Sequence, residues 1–165
     1  MSTDDVMDMI ITYPDPILTT PCEPFDFENP PDDPLEIAQV MMYVMNKFNG
    51  IGLAANQIGK HYSVFCMRGA PDNFVCFNPK IVYYSDEQVT MEEGCLSVPG
   101  VVVKVKRPKE IRVRFQTPSG QLVTKTFSGL TARTFQHEYD HLNGTMFFNK
   151  ANRFHRDKAM KEYYK

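Results

Sequence analysis

The spacing of apolar positions changes twice along this chain. Between residues 34 and 48, Leu35, Ile37, Ala38, Val40, Met41, Val44, Met45 and Phe48 recur at helical intervals, spread widely enough to predict a mostly buried helix. Asp33 as N-cap, Pro34 at the first helical position and Glu36 three residues after the cap mark its start, and Asn49-Gly50 marks its stop. From His61 to Phe127 the period is two, which predicts strands over 63–68, 75–84, 101–106, 110–117 and 121–127. Val101, Val103 and Val105 alternate with Val102, Lys104 and Lys106, and Ile111, Val113 and Phe115 alternate with Arg112, Arg114 and Gln116, as half-buried antiparallel strands do. Pro118-Ser119-Gly120 joins the last two strands as a hairpin. A second helix is predicted over 130–142, after Ser128-Gly129 and before Asn143-Gly144, and a short basic helical tail follows from Asn152. The first third, from Tyr13-Pro14-Asp15-Pro16 to Pro30-Pro31-Asp32-Asp33-Pro34, has little periodicity and predicts extended chain packed on the surface.

These elements predict an α+β fold, and no repeat, low-complexity tract or linker divides residues 1–165, so one domain is expected. A net charge of -2 provides no global basic field for phosphates, which argues against nucleic-acid binding as the main activity. No stretch approaches the roughly 18 apolar residues of a membrane span. The first eight residues are acidic and lack the basic start of a signal peptide. A cytoplasmic protein is expected, with an organelle or a virus-infected host cytoplasm left open. The four cysteines, Cys22, Cys66, Cys76 and Cys95, do not form a disulfide framework pattern and are read as reduced thiols.

His137-Glu138-Tyr139-Asp140-His141 has the spacing that, on a helix, puts both imidazoles on one face about one turn apart, able to share an ion. Glu138 lies about 100° around the helix from His137, where it can move a proton without being a ligand. Only four histidines occur in the chain, which weakens a chance pairing. A third ligand is not supplied downstream: Gly144 fits the longer H-E-x-x-H-x-x-G-x-x-H pattern, but Phe147 stands at the third histidine position. Asp157 and Glu162 lie in a segment basic enough to make ion pairing their expected role. Upstream, Glu93-Gly94-Cys95-Leu96-Ser97 offers a thiol next to glycine, where backbone can come close. Cys95 is read as the third ligand of an open site, with a small buried hydrophobe as the alternative, the role expected of Cys22, Cys66 and Cys76. The run from Gly50 to Gly59 is a helix stop and turn rather than a phosphate loop, and its Gln57 is a neutral amide donor suited to a developing oxyanion.

In order along the chain, G-I-G-L-A-A-N-Q, E-G-C-L-S and Q-H-E-Y-D-H-L-N-G resemble the three signature motifs of peptide deformylase, and Tyr13-Pro14-Asp15-Pro16-Ile17-Leu18 resembles the family's N-terminal segment. The resemblance implies antiparallel sheets packed around a central metal-binding helix, with an N-terminal helix and a short C-terminal one. It implies removal of the formyl group from N-formylmethionyl peptides and nascent chains, with Fe²⁺ as the usual ion; Zn²⁺, Ni²⁺ and Co²⁺ also suit such a donor set. It makes Cys95, His137 and His141 ligands and Glu138 the general base and then acid. Gln57 and the backbone N–H of Leu96 would bind the oxyanion. Gly52 would lie where substrate backbone pairs, and Ile51, Leu130, Thr134 and His137 would lie near the methionine side chain. Gln136 and Asp140, beside the ligands, are read either as anchors of the helix or as solvated residues. Two features depart from the family pattern. Arg133 stands where an apolar residue is expected, so it either alters the pocket rim or snorkels to the surface. The tail carries Lys150, Arg153, Arg156, Lys158, Lys161 and Lys165 but is short, which leaves a weak ribosome contact open, with a solvated tail as the plainer reading. Two other classes compete: a zinc peptidase of another family, independent of Cys95, and a non-catalytic metal module closed by four protein ligands.

Overall fold

Asp33 caps the first helix as its sequence predicts, its carboxylate accepting from the N–H groups of Leu35 at 2.9 Å and Glu36 at 3.1 Å. Helix α1 runs Pro34–Lys47 in the computed structural model, which describes residues 9–165. The acidic stretch before Met9 lies outside the described residues. Only Ile37, Ala38, Met41, Val44 and Met45 of α1 are buried, whereas Leu35 is 61% exposed. The helix is therefore one-sided, not the mostly buried rod expected, because a single layer of sheet covers it.

Seven strands follow: β1 Gly52–Ala54, β2 Val64–Met67, β3 Phe74–Tyr84, β4 Gln88–Cys95, β5 Val98–Pro108, β6 Glu110–Gln116 and β7 Leu122–Ser128. Helix α2 spans Gly129–Leu142 and α3 spans Arg153–Tyr163, with short 3-10 turns at Pro16–Thr19, Ala55–Ile58 and Phe147–Lys150. All strand pairs are antiparallel, giving a five-stranded sheet in the order β1-β2-β3-β6-β7 and a separate β4–β5 hairpin. Two strands have no periodic signature in the sequence. β1 is too short to show one, and β4 is exposed except near Glu93 and Cys95.

The sheet is filled on both faces, and β2 shows how. Val64 and Cys66 point into a cluster with Met41, Val44 and Phe77 beneath α1, while Phe65 and Met67 join Phe115, Phe127 and Phe135 on the α2 side. Alternation along one strand thus separates two cores, and α2 is held against β1, β2 and β7. A third cluster joins Val98, Val101, Val103 and Val105 of β5 to Leu18, Met146, Phe147 and Phe148. Ala159, Met160 and Tyr163 of α3 pack on that cluster, so the C-terminal helix is docked, not a free solvated tail. The Pro-rich first third packs on the surface as expected, largely exposed and anchored by the buried side chains of Leu18 and Phe25. Cys66 and Cys76 are buried among apolar neighbours, and burial beside Glu23 pushes the Cys22 thiol up to about 11, consistent with inert structural thiols. Among the described residues, no helix is long and apolar enough to cross a membrane.

The first third is pinned by Asn78, which sits at φ 51° where the β3–β6 register shifts. Its Oδ1 accepts from Phe25 N–H at 2.7 Å, and its Nδ2 donates to Phe25 O and Gln116 Oε1, both at 2.9 Å. Asn78→Ala should lower unfolding free energy in urea by roughly 2–4 kcal/mol, from lost hydrogen bonds and a left-handed backbone that alanine tolerates poorly. Asn78→Gly should recover only the backbone part.

Candidate active site

A four-residue spacing on α2 places the His137 and His141 rings 5.0 Å apart. The third donor arrives from the β4–β5 hairpin, where a bulge between Gly94 and Cys95 precedes the two-residue turn Leu96-Ser97 and the Cys95–Val98 pair. Bulges re-aim side chains, and this one brings Cys95 Sγ to 3.2 Å from His141 Nε2. The Cys95, His137 and His141 donor atoms lie within 4.8 Å of one another, the one such convergence among the described residues. Tetrahedral coordination with M–S near 2.3 Å and M–N near 2.0 Å places donors about 3.5 Å apart, a spacing close to that of this set. The electrostatics fit as well. Burial would lower the His137 value, but hydrogen bonds with Cys95 and Glu93 and the nearby Glu138 carboxylate raise it to about 10, showing a site that attracts positive charge. Burial and the His137 charge keep His141 well below its ordinary value, leaving it neutral with a lone pair to donate.

Glu138 is buried, and its Oε1 has no hydrogen-bond partner. Burial pushes its carboxyl up to about 7, with His137 and Arg107 opposing and Glu93 and Asp140 assisting. Its other oxygen lies against Gly52 of β1, where a methyl group would stand 2.9 Å from Glu138 Cδ. Gln57 lies in the 3-10 turn after β1. Its Oε1 accepts from Ala54 N–H at 2.9 Å, which fixes the amide so that Nε2 faces the site. Nε2 donates to Ser97 Oγ at 3.0 Å and makes a long 3.5 Å contact with Cys95 Sγ, the weaker of the two and the one an oxyanion could displace. Asn56 Nδ2 donates to His141 O at 2.8 Å, tying this turn to α2.

These groups border a cavity of about 650 Å³. Ile51, Gly52, Leu96, Leu130 and Thr134 line it, as do Gln57, Cys95, His137 and Glu138, while His141 lies behind. Ile51 and Leu130 form an exposed apolar rim, and the Thr134 hydroxyl donates to Leu130 O at 2.9 Å, adding no unpaired polar group. Every residue expected at the site from the sequence is thus within one contiguous region.

Sequence reasoning missed the charged group behind it. Glu93 is buried and accepts from His137 Nδ1 at 2.9 Å, from Arg107 Nε and Nη2 at 2.5 and 3.0 Å, and from Arg133 Nη1 at 2.5 Å. Burial alone would raise its carboxyl, yet the bonds from His137 and Arg107 win and hold it near 2. Arg107 also bonds Asp140 at 2.8 Å, and Gln136 Nε2 donates to Pro108 O at 2.9 Å, so both residues anchor α2 and neither is solvated. Arg133 is 5% exposed, which overturns the reading of a snorkelling surface side chain. One signal was present: Arg107 continues the inward phase of Val101, Val103 and Val105, so the alternation itself buries a cation.

The pattern of the family described as Polypeptide deformylase matches residues 7–157. The chain belongs to this family. Peptide deformylase 1B, chloroplastic/mitochondrial, of Arabidopsis thaliana is 40% identical over 146 residues, covering 86% of this chain and 53% of that protein. Peptide deformylase of Treponema pallidum is 36% identical over 150 residues, covering 90% of this chain and 91% of that one. The chain spans about half the length of the plant relatives it matches. Among solved structures, Plasmodium falciparum peptide deformylase in complex with an inhibitor superposes with a TM-score of 0.86 at 32% identity, covering 94% of this chain and 96% of the other. The α+β arrangement of antiparallel sheets around α2 is therefore the deformylase fold, and the family is metal-dependent.

Gly52→Ala should displace the Glu138 carboxylate and cut turnover of whatever substrate the site takes by more than tenfold, with metal content unchanged by elemental analysis. Glu93 supplies a second prediction. Its folded carboxyl lies below its unfolded value, so the native state binds fewer protons and stability rises with pH through that interval. The contribution, roughly 3 kcal/mol, should be present above about pH 5 and disappear toward pH 2. Urea unfolding of wild type and Glu93→Gln across that range should show their stabilities converging as pH falls.

Proposed function

We propose that this protein hydrolyses the N-formyl group of the N-terminal formylmethionine of newly made polypeptides, releasing formate and a free α-amine. The observation that carries the reading is the meeting of one thiol and two imidazoles beside an apolar cavity, with the buried Glu138 carboxylate, unpartnered at Oε1, also lining it. Cys95, His137 and His141 hold the ion, for which we assign Fe²⁺, with Zn²⁺, Ni²⁺ and Co²⁺ as workable substitutes. When bound, such an ion polarises the formyl carbonyl and acidifies water.

The chain's own residues supply the remainder. Glu138, poised near neutrality by burial, takes a proton from the attacking water and returns it to the leaving amine. Gln57 Nε2 and the N–H of Leu96 meet the developing oxyanion. The methionine side chain enters between Ile51, Leu130 and Thr134, where burial contributes roughly 2 kcal/mol of affinity. Gly52 lies on β1, an edge strand of the large sheet, which supports pairing with the substrate backbone. The exposed Lys158, Lys161 and Lys165 on and after α3 support a weak, salt-sensitive contact with ribosomal RNA.

Formate release from a formyl-Met dipeptide, with protein purified anaerobically and loaded with Fe²⁺, tests the reading. Wild type should release formate and leave the unformylated dipeptide intact. Glu138→Ala should lose about 10²- to 10⁴-fold in rate. Cys95→Ala should lose activity together with bound metal. Cleavage of the unformylated peptide by the wild type, or activity independent of Cys95, would identify a peptidase of another kind.

A further inference from the structure

Arg133 stands one helical turn before His137 on the same face of α2, and both reach the same carboxylate on β4. We propose that Arg133 is a positioning residue for the metal site, acting through Glu93 to hold His137 with Nδ1 as hydrogen-bond donor and Nε2 turned toward the other ligands. The inference rests on the reading of Cys95, His137 and His141 as metal ligands.

Glu93 is saturated. Each of its oxygens accepts two hydrogen bonds, Oε2 from Arg107 Nε and Arg133 Nη1, and Oε1 from Arg107 Nη2 and His137 Nδ1. Both oxygens of Glu93 are engaged by guanidinium N–H groups, and His137 Nδ1 completes the set at 2.9 Å, which leaves Nε2 as the ring nitrogen available to face an ion. Arg107 alone would not secure this arrangement, because it also serves Asp140. One cation shared by two carboxylates leaves the buried group with a net negative charge, and Glu93 Oε2 would keep only the bond from Arg107 Nε. Arg133 brings the four charges to zero. Two of its further N–H groups, on Nη1 and Nη2, reach Val105 O at 3.0 Å and Val89 O at 2.5 Å, so a single guanidinium fastens both strands of the Cys95 hairpin to the helix that carries the histidines. Three ligands on two elements can share one ion only if those elements keep their relative position, and the arginine links them directly behind His137.

A merely structural arginine would lower stability without changing the quality of the metal site, and affinity separates the two. Co²⁺ dissociation constants, measured by chelator competition, would be compared for wild type, Arg133→Met, Arg133→Lys, Glu93→Gln and the double variant Arg133→Met/Glu93→Gln, alongside thermal unfolding of the metal-free proteins. Arg133→Met should weaken Co²⁺ binding by about 10- to 100-fold, the range typical of groups that orient metal ligands. Arg133→Lys, which keeps the charge and loses the fork, should recover only part of it, and the double variant should bind no more weakly than Glu93→Gln. Should Arg133→Met fail to fold, Arg133→Lys against wild type carries the comparison and is expected to bind several-fold more weakly. Equal affinities with a lower melting temperature would overturn the proposal, as would additive losses in the double variant. Those results leave the function reading standing when the wild type binds Co²⁺ and releases formate. A wild type that takes up no Co²⁺ overturns the metal-site reading and the positioning role with it.

Discussion

A carboxylate taken out of water between two guanidinium groups and an imidazole is the constraint on which the rest of this molecule depends. Glu93 lies on a strand with little apolar character, and nothing hydrophobic would hold that strand against α2 at this point. What holds it is charge, paired and hydrogen-bonded on every side, because an ion left alone in such a place would cost several kcal/mol. Removal of one partner from a buried pair typically costs about 3–5 kcal/mol, so the group enforces a single relative placement of hairpin and helix. The Cys95 thiol comes from the hairpin and both imidazoles from the helix, which makes that placement the geometry of the donor set itself.

Apolar burial then fixes everything around this group. α2 lies on the five-stranded sheet through Phe135, which meets Phe65, Phe115 and Phe127. The opposite face of the same sheet is closed by α1. Clamped on both sides, with Leu53 and Ala55 in one core and Ala54 in the other, β1 and its following turn present Gly52 and Gln57 to the site. The third cluster brings the Pro-rich first third and α3 together beneath β5, with the Tyr163 hydroxyl donating to Tyr13 O at 2.6 Å.

The arrangement also explains why other metal-site architectures fit poorly. In the longer histidine pattern the third ligand would follow α2, but Phe147 occupies that position, is buried, and packs at 5.5 Å from the His137 ring. A closed four-ligand site would need another donor near the three, and among the described residues the convergent set stops at Cys95, His137 and His141. Glu138, the proposed proton carrier, stays outside that set, buried and unpaired on one oxygen.

Much of this was legible in the residues themselves. Local rules sufficed for α1 and α2, since caps and helical spacing depend on neighbours within a few positions, and for β5 and β6, whose alternation reflects one buried face. The HExxH spacing, the glycine-flanked Cys95 and the Gln57 motif pointed to the donor set and its neighbours. Other features were decided only by tertiary structure. β4 exists because β5 supplies its hydrogen-bond partners, and its own residues carry no alternation that would announce it. Arg133 was ambiguous in sequence because a long cation on a helix can face water as readily as the interior, and a buried carboxylate 40 positions away decided the matter. The sequence by itself determined which residues could do chemistry and which local elements would carry them. Folding decided which charges were desolvated together, because the electrostatics of a buried group depend on what packs around it from distant parts of the chain.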